Sequence, residues 1–183
     1  VLALLAALAT GGVVLTRQPV VDEVPEDDPG VPLVPGLEAR VNDVSAVRVR
    51  GAGGSLLAQV ERSGTRWRVA NRAGYPADIT TLRGTLIGLA RARRVEAKTD
   101  REDAYPRLGV AAIKQATGKA IEVGIGGLDR EVAVLIGKGA SGDVGGTYAR
   151  LVGKPRAWLV SSDLQRYHRI ADWLDDRLVD IPA

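Results

Sequence analysis

The sequence predicts an α+β fold: two successive antiparallel meander-plus-helix modules behind an N-terminal transmembrane helix. Three observations predict it. Short runs alternate apolar and polar residues between glycine-rich turns, which is the pattern of half-buried strands. After each set of such runs comes a stretch with apolar residues at steps of three and four, the spacing of one helix face. Finally, the first sixteen residues carry no charge.

Val1 to Thr16 is apolar almost throughout, and a membrane span needs about 20 such residues. The chain begins at Val1 and not at Met, so a short preceding start with a basic flank is expected. The reading is an uncleaved single-pass anchor over residues 1–16, with Leu4, Leu5, Leu8, Val13, Val14 and Leu15 in the bilayer. Ala7-Leu8-Ala9 also fits a small-residue cleavage site. Residues 17–40 hold five of the nine prolines and an acidic cluster, Asp22, Glu23, Glu26, Asp27 and Asp28. Proline fixes φ and removes donors, so this segment reads as an extended linker. Pro32, Leu33 and Val34 within it are candidates for lying along a partner.

The α+β domain is expected over residues 41–183, with a first module at 41–110 and a second at 111–183. Val44 to Arg50 and Ser55 to Glu61 alternate across Gly51-Ala52-Gly53-Gly54, a hairpin signal, and Arg66 to Val69 makes a third strand. Asp78 stands at an N-cap position, and Ile79, Leu82, Leu86 and Leu89 form a stripe able to cover the Trp67 face. That helix is expected to run into Arg91, Arg93, Arg94 and Lys98, cations suited to its C-terminal dipole. In the second module, strands are expected at 120–125, 131–136, 147–152 and 156–160. Ser162-Asp163-Leu164-Gln165 reads as a capping box, followed by a helical stripe of Leu164, Tyr167, Ala171, Leu174 and Leu178.

Composition excludes several chemistries. No cysteine means no disulfide and no thiolate, and one histidine excludes a multi-histidine metal site within one chain. The net charge is +3: of 25 Lys and Arg and 22 Asp and Glu, residues 17–40 hold two and six, which leaves 23 against 16 elsewhere. Arginines scattered over every segment read as solvated faces, and no nucleic-acid motif accompanies them. Gly137-Lys138-Gly139-Ala140-Ser141-Gly142-Asp143-Val144 has the letters of a phosphate-covering loop, yet a strand and not a helix follows it. A hairpin turn is the reading. His168 with Asp172 at helical spacing, near Ser161 and Ser162, suggests base chemistry, against which stands a surface ion pair. Trp173 flanks its stripe, so it is either core or an indole left for a partner.

The order of Trp67-Arg68-Val69, Tyr75-Pro76-Ala77-Asp78, Lys98-Thr99, Tyr105, Leu108-Gly109-Val110, Ile136-Gly137, Thr147-Tyr148-Ala149-Arg150 and Trp173-Leu174 resembles the bacterial "domain of unknown function 4340" family over about residues 36 to 183. The resemblance implies a membrane-anchored accessory subunit of an ABC-type transporter, similar to those of gliding-motility transporters. The anchor would lie in the bacterial inner membrane, with the domain in the periplasm or outside. Implied partners are the permease and other auxiliary membrane-anchored subunits, with no cofactor and no catalytic residue to carry over. The alternative is a lipid, glycan or cell-wall ligand-binding module. Asp180-Ile181-Pro182-Ala183 reads as the lead into a further strand module.

Overall fold

In β1, Ala46–Gly51, Val47 and Val49 point inward while Arg48 and Arg50 point outward, as the alternation requires. The computed structural model describes residues 28–141 and 145–177. β1 turns through Gly53 and Gly54, both at positive φ, into β2, Leu56–Ser63. Gly64 turns β2 into β3, Arg66–Val69, and β3 pairs with the short β4, Tyr75–Pro76. A second meander consists of β6, Ile121–Gly126, β7, Val132–Gly139, β8, Thr147–Leu151, and β9, Ala157–Val160. Between the two lies β5, Arg94–Thr99.

Among the described residues nine strands form one antiparallel sheet in the order β4-β3-β2-β1-β6-β7-β8-β9-β5. The meanders join edge to edge where β1 pairs with β6, from Ala46 opposite Gly126 to Gly51 opposite Ile121. Helix α2, Ile79–Arg91, leaves β4 at one edge and delivers the chain to β5 at the other. Asp78 caps it, its carboxylate accepting the Thr81 N–H at 2.6 Å. Leu82, Leu86 and Leu89 of α2 join Val47, Val60, Val123, Val134, Ile136 and Trp158 in one core. The first helix therefore packs across both meanders, and the two do not have separate interiors. A second apolar cluster lies on the opposite face: Tyr105, at the start of the one-turn helix α3, Tyr105–Leu108, packs with Val110, Ile113 and Ala116 over Leu135 and Ala157.

Three expectations change. The helix ends at Arg91: Arg93 lies beyond it, and Arg94 and Lys98 stand on β5, because backbone partners claim both sides of the chain at Arg93 and Arg94. Arg94 N–H donates to Val31 O at 2.9 Å and Ser161 N–H to Arg93 O at 2.9 Å. The same pairing shortens the linker. Pro32 bridges Arg93, Leu33 N–H donates to Ala92 O at 2.7 Å, and Leu33, Val34 and Leu37 are fully buried. The folded domain thus starts ahead of Val41, and residues 37–40 form a short helix, α1, Leu37–Arg40. Proline fixes its own φ and lacks its own N–H, but the residues between prolines keep their donors and side chains, and here they pair and pack.

The helix expected after Ser162 does not form; residues Ile170–Trp173 make a single 3-10 turn instead. Its donors go elsewhere, since Leu164 N–H meets the buried Thr147 hydroxyl at 2.9 Å and Arg169 N–H meets the Asp172 carboxylate at 3.1 Å. The extended segment carries Trp173 and Leu174 back to β4, where Asp78 N–H donates to Trp173 O and Asp175 N–H to Pro76 O, each at 3.0 Å. No helix among the described residues is long and apolar enough to cross a membrane. Leu4, Leu5, Leu8, Val13, Val14 and Leu15 lie outside the described residues, as does Leu178.

Candidate functional site

Trp173 is 1% exposed, its indole N–H donates to Tyr167 O at 3.1 Å, and the Tyr167 ring meets it edge-on at 5.9 Å. It is a core residue, so the surface-indole reading is withdrawn. Leu33 and Val34 are buried as well, and Pro32 bridges Arg93 just ahead of β5, so this trio braces its own domain. His168 does not share a helix face with Asp172. Its Nδ1 lies 3.0 Å from Arg166 O, while the Asp172 carboxylate is held by Arg169, with the guanidinium at 2.7 Å. Burial alone would raise Asp172, but the Arg169 hydrogen bonds outweigh it and hold the carboxyl below its ordinary value. The Ser161 hydroxyl accepts Arg93 N–H at 3.2 Å. The glycine stretch after Ile136 joins β7 to β8 as a hairpin, Gly139 opposite Thr147; residues 142–144 lie outside the described set. Among the described residues no three carboxylates or imidazoles gather as a metal site.

A different constellation is built on the sheet face opposite α2. β8 presents Arg150, only 8% exposed, beneath the excursion that runs from β5 to β6. Its Nε donates to Val110 O and one terminal nitrogen to Lys154 O, both at 3.0 Å. The guanidinium carbon sits 4.3 Å from the centre of the Tyr105 ring, a cation–π stack. The Tyr105 hydroxyl is 2.6 Å from Pro155 O and 3.1 Å from Asp100 O, and its single proton goes to the nearer. Burial draws the guanidinium below its ordinary pKa, and the Tyr105 phenolic group and the charge of Glu102 oppose that shift. Arginine stays charged throughout.

Two glycines let the excursion approach so closely. Gly109 ends α3 at φ 76° and lies on Gly137 of β7, where a Cβ would fall on the Leu108 carbonyl oxygen. Around Arg150 opens a depression of 480 Å³, lined also by Asp100, Glu102, Tyr105, Gln115 and Lys154. Tyr105, Leu108-Gly109-Val110, Ile136-Gly137 and Arg150 are separate pieces in the sequence, and the sheet gathers them here. None was singled out as a site, because residues so far apart in the chain signal contact only once the strand order is known.

The family described as "Domain of unknown function (DUF4340)" matches residues 67–183. The chain belongs to that family. The matched span runs from β3 through the Arg150 depression to the close of the fold, so the family's domain includes the whole second meander and α2. No curated protein and no solved structure matches the chain.

Proposed function

We propose that this DUF4340 protein is a non-catalytic, membrane-anchored accessory subunit of an ABC-type transporter. Its domain works outside the bacterial inner membrane by docking on the permease and on other anchored auxiliary subunits. The observation that carries the reading is how the acidic, proline-rich segment enters the fold. It ends in backbone hydrogen bonds to Arg94 and Ala92 and in the buried Leu33 and Val34, so an anchor formed by residues 1–16 would hold the domain by its sheet edge. Such an attachment suits a part that is positioned against neighbours and not one that diffuses. Engagement of His168 and Asp172 by Arg166 and Arg169 supports a structural role for both.

The test is co-purification of the full chain in mild detergent, with its companions identified by mass. An ABC-type permease recovered in stoichiometric amount is the expected result; a monomer alone would refute the proposal. The second reading, a periplasmic lipid, glycan or cell-wall ligand-binding module, is favoured by one feature, the depression around Arg150.

A further inference from the structure

Arg150 is a buried cation with a strange set of partners. A guanidinium carries five N–H donors. Two are used here, both on uncharged backbone carbonyls, and among the described residues no carboxylate lies in ion-pair range of it. Glu102 acts on it only through its field. Asp100, also on the rim, is taken by Arg156 at 3.2 Å. Removing a charge from water without a counter-charge is costly, and proteins ordinarily pair it. The fork nonetheless borders an open depression of 480 Å³.

We infer that this depression is a binding site for a carboxylate, received in the plane of the Arg150 fork. The guanidinium N–H groups lie in its plane, and Tyr105 covers one of its faces, so an anion meets those groups edge-on, the approach that suits a planar two-oxygen group. Three donors remain for it: one on the nitrogen that also serves Lys154 O and two on the other terminal nitrogen. On the rim Asp100 is paired with Arg156 and the charges of Glu102 and Lys154 sum to zero, so one negative charge and not two balances Arg150. Pro106, Ala111 and Ala112 supply apolar wall for whatever carries the carboxylate. The inference is independent of docking on a transporter: it concerns one side chain and its unmade bonds.

The experiment follows the Arg150 Nε–H resonance by NMR in the nitrogen-15-labelled full chain in neutral detergent. Three probes are titrated: N-acetylalanine, N-acetylalanine amide and inorganic phosphate. The expected result is a saturable shift with N-acetylalanine, none with the amide, and phosphate effective only at ten-fold or greater concentration. Arg150→Lys keeps the charge and loses the fork, and is expected to weaken N-acetylalanine binding at least ten-fold, read on the Gly153 amide. No saturable shift with the carboxylate, an equal shift with the amide, or phosphate acting at the same concentration would overturn the inference. If Arg150→Lys does not fold, the three probes on the unaltered chain decide.

Discussion

Gly137 has no room for a side chain, and this one position shows how the second apolar cluster is made. A Cβ there would strike the Leu108 carbonyl oxygen and crowd Val110, so α3 and β7 touch backbone to backbone. Gly137→Ala is therefore expected to cost about 1–3 kcal/mol through overpacking, measured as a lower urea midpoint by tryptophan fluorescence. Gly84, on the exposed side of α2 with nothing near its Cβ direction, is the control. Gly84→Ala is expected to stabilise by about 0.5–1 kcal/mol, because alanine loses less backbone freedom in a helix. Opposite signs for two glycine substitutions would separate close approach from conformational entropy; equal signs would contradict the packing described. At this scale the sequence was only partly informative. It marked Gly109 and Gly137 as pieces of a recurring order, but their contact depends on where β7 lies.

Among the elements, the segment ahead of α1 tests the fold most sharply. Leu33 is completely buried, between prolines that made the stretch read as linker. Leu33→Ala is expected to destabilise the domain by about 2–5 kcal/mol, seen in the same unfolding experiment. An unchanged midpoint would mean that residues 31–34 are a tether after all. Strand positions were legible because their signals are local: Arg66–Val69 stands where alternation put it, and Asp78 caps α2 as its place before the stripe suggested. The second helix was misread for a physical reason. Leu164, Tyr167, Ala171 and Leu174 have helical spacing, but spacing does not say where N–H groups find acceptors, and Thr147 and β4 offered better ones. Tertiary pairing overrode periodicity there, as it did for Arg94 and Lys98.

For the molecule as a whole, the sheet order decides how the chain behaves. β5 follows the first meander in sequence yet pairs with β9, and α2 packs across both halves, so residues 41–110 and 111–183 share one core. Expressed separately, each half is expected to show no cooperative unfolding in urea, because β1 loses β6 and β5 loses β9. A sharp transition in either half would contradict the shared core. The strands of both meanders were visible in the sequence, but their fusion was not: an antiparallel register between β1 and β6 leaves no local mark. The Arg150 site was hidden for the same reason, since Tyr105 reaches it only because the excursion after β5 folds back over β8.

Docking on membrane-embedded neighbours, as proposed above, needs an exposed apolar contact, and among the described residues Leu56, Tyr75, Ile87, Val95 and Val152 are the large apolar side chains that offer one. A photo-reactive residue placed at each in turn, in the full chain in intact cells, measures contact directly. The account expects at least one position to cross-link to an ABC-type permease. Cross-links confined to the chain itself at all of them would contradict it.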